Sequence, residues 1–290
     1  MYFTHKYIKK LKRLPRFLLG LVRRENPSQM WGRVFDLSKK KLVQLNGFQL
    51  FVMPNDYIGG SILKSKTYEP HVTTVIRNVL KKGDVFLDVG ANIGYYTLLA
   101  SSLVKSDGKV IAFEPNPQNL QLIYSSLLES EADNVTIYPY AASDAADMLR
   151  FTTGGSNGGV VSKHSKDQKH YLLVPSVVLD EILKDESRID LIKIDIEAHE
   201  PAAIRGMENL IKKLRPKIIT EFHPWAMQLN NIAPPVQYLE QLIALDYKLS
   251  IIEPSGKCIA VSGAEEILSY WKSLGNKTAH LDLFAQSVQC

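Results

Sequence analysis

From Tyr68 to Ile252 the sequence alternates short apolar runs with longer segments of helical period. Strands are expected at Val85–Val89, Lys109–Phe113, Val135–Tyr138, Leu191–Ile194, Lys217–Glu221 and Leu249–Ile252. Helices are expected at Glu69–Leu80, Tyr95–Leu103, Pro117–Leu128, Ala202–Leu214 and Pro235–Leu245. Such alternation over roughly 180 residues predicts a doubly wound α/β fold, a mostly parallel sheet with helices on both faces. Shorter strand-like pieces precede it (Leu42–Leu45, Phe48–Val52), and Lys257–Val261 and Leu281–Phe284 read as closing strands. The interval 145–180 breaks the rhythm with Gly154, Gly155, Gly158 and Gly159 around Ser156 and Asn157, followed by a strand-like Tyr171–Val174. It reads either as an insertion beside the ligand crevice or as a plain glycine-rich surface loop.

Charge divides the chain unevenly. The net charge is +5, yet residues 1–25 hold eight bases against Glu25 alone, which leaves the body at −2. A near-neutral body argues against a broad nucleic-acid-binding face. Within the basic segment Ile8, Leu11, Leu14 and Leu18 recur at helical spacing, interrupted at Pro15. An amphipathic segment of this kind suits peripheral membrane contact through residues 1–24, or packing of its apolar stripe on the main domain. The expected organisation is therefore a basic segment (1–25), a lead-in with short strands (26–67) and the main domain (68–290). Cys258 and Cys290 are the only cysteines. They make no disulfide framework, and a cytoplasmic location follows from a reducing compartment.

The strand at 85–89 ends in Asp88 and runs into Gly90-Ala91-Asn92-Ile93-Gly94, which opens a helix at Tyr95-Tyr96-Thr97. Small residues let the backbone approach a ligand, and a helix N-terminus offers free N–H groups. The spacing is not that of a dinucleotide fingerprint, because Asn92 stands where the second glycine would be. A nicotinamide-dependent oxidoreductase is disfavoured on that ground. The next strand ends at Glu114, followed by Pro115-Asn116, and a carboxylate there can accept both hydroxyls of a ribose. Ser143-Asp144 follows the third strand, at the point where an adenine edge would be bound, and also suits a simple turn.

The second strong signal is Lys193-Ile194-Asp195-Ile196-Glu197-Ala198-His199-Glu200. Strand alternation puts Lys193, Asp195 and Glu197 on one face, with Ile192, Ile194 and Ile196 on the other. A lysine in a central strand needs a carboxylate partner. Asp195 falls at the carboxyl end of its strand, where open α/β sheets bind ligands. Glu200, just before Pro201, suits helix capping better than catalysis. Thr220-Glu221-Phe222-His223 ends the following strand and is placed to face the same crevice.

Taken in order, Tyr68-Glu69-Pro70, the Asp88–Thr97 segment, Phe113–Asn116 and Lys193–Glu200 resemble the FkbM family of methyltransferases over roughly residues 65–225. The resemblance implies a class I methyltransferase (Rossmann-like) fold with a seven-stranded sheet, here carrying an N-terminal helical extension. It implies S-adenosylmethionine as cofactor, bound by Glu69, Asp88, Gly90, Asn92, Gly94, Thr97, Glu114, Pro115, Asn116, Ser143 and Asp144. It also implies O-methylation of a hydroxyl, often on a sugar or polyketide, so the expected partner is a small-molecule or glycan acceptor and not nucleic acid. The candidate catalytic residues are Asp195, Glu197 and His199, with His223 behind them. The Asp195–Glu197 pair is favoured as binder and base, since a sugar hydroxyl must lose its proton as the C–O bond forms. The same carboxylates also suit a divalent cation, although no third ligand is fixed by spacing and no metal is assigned. Ala198 departs from the glycine usual in the family and excludes easy positive-φ geometry. Two other readings stay open: a nucleic-acid methyltransferase, which lacks its Asn/Asp-Pro-Pro-aromatic motif here, and a cofactor-binding protein without turnover.

Overall fold

The computed structural model describes residues 37–154, 156–161, 171–230 and 233–288. The chain divides into two compact units, Met1–Lys39 and Lys40–Cys290. Of the first, the described part is one 3-10 turn, Leu37–Lys39. The expected basic amphipathic segment, and with it the membrane contact read from it, falls outside the described residues. No described helix is long and apolar enough to cross a membrane.

The second unit opens with the hairpin β1 (Lys41–Gln44) and β2 (Gln49–Val52), then α1 (Tyr57–Ser65) and α2 (Pro70–Val79). The alternating body follows: β3 (Val85–Val89), α3 (Tyr95–Val104), β4 (Lys109–Phe113), α4 (Pro117–Ser130) and β5 (Val135–Tyr138). A small second sheet comes next, from β6 (Ala141–Ala142), β7 (Met148–Gly154), β8 (Asn157–Val160) and β9 (Leu172–Val177). The chain then returns through α5 (Leu179–Ile182), β10 (Leu191–Ile194), α6 (Glu200–Arg205), α7 (Glu208–Leu214) and β11 (Lys217–Phe222). It ends with α8 (Pro224–Asn230), α9 (Pro235–Ala244), β12 (Tyr247–Ile252), β13 (Cys258–Ala260), α10 (Ala264–Ser273) and β14 (Leu281–Ser287).

The main sheet runs β13-β12-β14-β11-β10-β3-β4-β5. Its five strands from β11 to β5 are parallel, and β14 inserts antiparallel between β11 and β12. The sheet thus has eight strands where seven were expected, because the Lys257–Val261 segment folds back on β12 as an antiparallel edge. Strand order reverses between β3 and β10. This switch point is where an open α/β sheet leaves a crevice at its carboxyl edge.

Side-chain alternation sets the two faces. Leu87, Val89, Ile111, Phe113, Ile192 and Ile194 join the main core with Leu179, Ile204, Ile211 and Tyr238. Lys193 and Asp88 point to the opposite face, against α3. The helix expected at 202–214 is two helices, broken at Gly206. There the Ser143 carbonyl stands 2.0 Å from where a Cβ would be, so no other residue fits. The interval 145–180 is a structured insertion, its β7 paired antiparallel with both β8 and β9.

Candidate active site

A cavity of about 390 Å³ lies along the carboxyl edge of β11, β10, β3, β4 and β5. Its size is that of a small-molecule site. One stretch of its wall comes from the glycine loop, the end of β4 and the start of β6: Gly90, Asn92, Glu114, Pro115, Tyr140 and Ala142. Another comes from β10, β11 and α2: Glu69, Lys193, Asp195, Glu197, Glu221 and His223. One strand, β3, separates the ends of β4 and β10, so Glu114 and Asp195 stand on strands about 10 Å apart.

Glu114 is buried at 4% exposure. Its Oε2 accepts the Asn92 N–H (2.7 Å) and its Oε1 accepts the Asn116 N–H (2.8 Å), with Asn119 Nδ2 at 3.4 Å. Burial nevertheless pushes its carboxyl up to about 8. The glycine loop is held from below: Thr97 Oγ1 donates to Asp88 Oδ2 at 2.6 Å, and burial raises Asp88 to about 6. Gly90 takes φ +90°, and an ideal Cβ there would lie 2.0 Å from the Asp195 carbonyl oxygen. Its smallness therefore serves the close approach of two loops of the chain. Asn116 spends its side chain capping α4, by accepting the Gln118 N–H.

In the acidic part, Lys193 Nζ donates to Asp195 Oδ2 at 2.8 Å and sits 4.6 Å from the centre of the Tyr96 ring. Burial disfavours its charge, but Asp195, Glu69 and Asp88 outweigh that and raise it above the ordinary lysine value. Tyr96 OH donates to Glu69 Oε2 at 2.7 Å. Burial pushes Glu69 up, with Asp195 and Asp282 adding to the effect against Lys193. Glu197 lines the cavity with no hydrogen-bond partner for its carboxylate among the described residues. Burial and the neighbouring Asp195 and Glu69 raise it to about 7. Glu197 and Ala198 both adopt positive φ, 56° and 72°. The geometry that Ala198 was expected to exclude is thus the one present. Glu200 holds the turn, its Oε1 accepting the Ile196 N–H at 2.9 Å; it stands in the first turn of α6 as an acidic residue, and no side chain caps that helix.

Gly90, Asn92, Glu114, Pro115, Glu69, Asp195, Glu197 and His199 line the cavity; Asp88, Gly94, Thr97, Asn116, Ser143 and Asp144 do not. Asp88 and Thr97 are hydrogen-bonded to each other beneath the glycine loop, Gly94 is the N-cap of α3, and Asn116 caps α4. Asp144 faces Arg205, at 2.7 Å, and Ser143 Oγ shares a hydrogen bond with His199 Nε2 at 3.1 Å. Next to them it is Tyr140, Ala141 and Ala142 that meet the cavity. His199 is buried, which lowers it to about 4 and keeps it neutral. The cavity-lining polar residues that sequence reasoning did not single out include Tyr96, Asn119 and His280. Among the described residues no group of three or more His, Cys, Asp or Glu side chains is arranged to hold a metal ion.

The donor set suits S-adenosylmethionine. A half-satisfied carboxylate at the end of β4 matches a vicinal diol, and apolar Phe113, Ala141 and Ala142 suit a flat base. Carboxylates at Glu69, Asp195 and Glu197 complement a cationic sulfonium and ammonium. This sheet order and glycine loop are those of the class I S-adenosylmethionine-dependent methyltransferase fold. The family model for the methyltransferase FkbM domain matches residues 88–276. The chain belongs to the FkbM methyltransferase family. It is 25% identical over 161 residues to hexuronic acid methyltransferase AglP of Haloferax volcanii, covering 53% of this chain and 62% of that protein. It therefore spans about three-fifths of the length of that curated relative. Among solved structures, FkbM from Methylobacillus flagellatus KT is 18% identical, with TM-score 0.44 over 72% of this chain and 45% of that one. SMU.1697c from Streptococcus mutans, solved with S-adenosylhomocysteine, is 11% identical with TM-score 0.45, over 77% and 99%.

Proposed function

We propose that the chain methylates a hydroxyl on a sugar, glycan or related natural product, with Glu197 as the general base. The observation that carries this reading is the Glu197 carboxyl: on the cavity wall, free of hydrogen-bond partners among the described residues, and raised to about 7. A base is most effective when its pKa lies near the working pH. Bound S-adenosylmethionine supplies an electrophilic methyl group on a positively charged sulfur. Glu114 would hold the ribose hydroxyls, one on each carboxylate oxygen. Asp195, its charge balanced by Lys193, accepts a hydrogen bond from the acceptor and orients it. Glu197 would take the proton of the acceptor hydroxyl as its oxygen bonds the methyl carbon and the methyl–sulfur bond breaks, its electron pair staying on the departing thioether sulfur. His199, buried, neutral and turned to Ser143, serves the turn and not the proton transfer. The name of the Haloferax relative, a hexuronic acid methyltransferase, supports a sugar acceptor. A nucleic-acid acceptor is disfavoured by the carboxylates of Glu69, Asp195, Glu197 and Glu221 on the wall, which repel phosphates.

The test is transfer of labelled methyl from S-adenosylmethionine to a panel of neutral sugars, uronic acids and RNA by the full chain. Glu197→Gln should lose roughly 10²- to 10⁴-fold in rate, with S-adenosylhomocysteine affinity retained. Labelling of RNA alone would refute the acceptor class, and wild-type turnover by Glu197→Gln would refute the base.

A further inference from the structure

The glycine-rich turn between β7 and β8 is tied into the cofactor end of the cavity from a distance of a hundred residues. Asp56 stands just ahead of α1 and caps it, its Oδ2 accepting the Ile58 and Gly59 N–H groups. The same carboxylate receives two bonds from the turn: Ser156 N–H to Oδ1 at 2.8 Å and Ser156 Oγ to Oδ2 at 2.5 Å. The Ser156 carbonyl in turn accepts Asn119 Nδ2 at 2.9 Å and Asn92 Nδ2 at 3.3 Å. Asn92 and Asn119 are both donors to Glu114. A continuous chain of hydrogen bonds thus runs from Asp56 through Ser156 to the carboxylate at the end of β4. Both ends of the bridge, Tyr57 and Ile58 on one side and Ser156 to Gly158 on the other, line the cavity.

We propose that Asp56 and Ser156 are positioning residues for the cofactor. They latch the β7–β8 hairpin to the start of α1, hold Asn92 and Asn119 against Glu114, and must part for the spent cofactor to leave. The proposal rests on the reading of Glu114 as the ribose acceptor. Ser156 is buried at 7% exposure with both its donors on the one Asp56 carboxylate. The hairpin reaches the base as well: an ideal Cβ on Gly159 would stand 2.9 Å from Glu197 Cβ. Cofactor retention and base placement therefore share one support. Since product release often limits turnover in enzymes that enclose their ligands, the latch is placed where it sets that rate.

The experiment is stopped-flow and calorimetric binding of S-adenosylhomocysteine to the full chain. Ser156→Ala removes one bond of the latch, and Asp56→Ser removes the latch while a serine still caps α1. Each should speed dissociation by roughly tenfold, the worth of a charge-assisted hydrogen bond. The double variant should be no faster than Asp56→Ser alone, and Ser156→Thr, which keeps the hydroxyl, should release at close to the wild-type rate. A general structural role would give no such rescue. Dissociation from Ser156→Ala at the wild-type rate, or strictly additive effects in the double variant, would overturn the latch. Glu114→Gln, measured alongside, separates the two readings. Weakened binding there with unchanged rates in the latch variants leaves the ribose assignment standing and sinks the latch. Unchanged binding there overturns the ribose assignment and the latch's link to it.

Discussion

Glu114 should make cofactor binding proton-linked, with a sign that follows from its surroundings. Without a ligand its carboxyl is held up at about 8 by burial, despite the Asn92 and Asn116 N–H groups. At pH 7 most molecules carry a proton there. Two ribose hydroxyls donate more strongly to the charged form, which has both oxygens free to accept, so binding pulls the carboxyl down toward its ordinary value and releases the proton. About 0.9 proton should leave per binding event at pH 7, and affinity should rise roughly fiftyfold from pH 6 to pH 8 before levelling. Glu114→Gln keeps the size but turns an amide NH₂ toward one of two backbone donors. That should cost about 1–3 kcal/mol of stability and abolish the pH slope. Calorimetry of S-adenosylhomocysteine binding in buffers of different ionisation enthalpy reads the proton directly. An affinity that is flat between pH 6 and 8 in the wild type, or an equal slope in the Gln variant, would refute the reasoning.

Two further predictions concern the turn that carries the proposed base. His199 is depressed from 6.5 to about 4 by burial, so its stabilising contribution is fully present above pH 6.5 and is lost as pH falls through about 4. That is worth about 3 kcal/mol. Urea denaturation from pH 7 to 4 should show His199→Gln losing that much less than the wild type, and parallel curves would refute it. Ala198, buried and at φ 72°, should tolerate glycine within about 1 kcal/mol, because relief of left-handed strain offsets the lost methyl and the added chain entropy. Ala198→Val should cost more than about 2 kcal/mol. Equal denaturation midpoints for the two variants would show that the turn is not left-handed.

The parts of this molecule that were legible in the sequence are those whose signal is local. Val85–Val89 and Leu191–Ile194 carry apolar side chains on both faces, which a strand buried between helix layers requires, and both emerge with the expected bounds. The pairing of Lys193 with Asp195 follows from two residues of one strand and the cost of an unpaired buried charge. Glu114 and Asn92 are readable because the glycine turn and the end of the next strand lie close in sequence and adjacent in the sheet. What was not legible depends on partners distant in sequence. Asp56 looks like an ordinary helix cap, Ser156 like loop filler, and Asn119 like one polar residue on an amphipathic helix. Each acquires its role only when β7–β8 folds back over the crevice. The choice among Asp195, Glu197 and His199 was likewise beyond a reading of residue types. On intrinsic pKa a histidine is the natural base, yet burial takes His199 down to about 4 and carries Glu197 up to about 7. Burial thus moves His199 away from neutral pH and the proposed base, Glu197, two residues away, toward it. Ala198 shows the converse: residue preference argued against a left-handed turn, but the Glu200 carboxylate on the Ile196 N–H and the packing of α6 hold it there. A strained pair of residues kept in place at the end of β10 is what a site that must aim one carboxylate would retain.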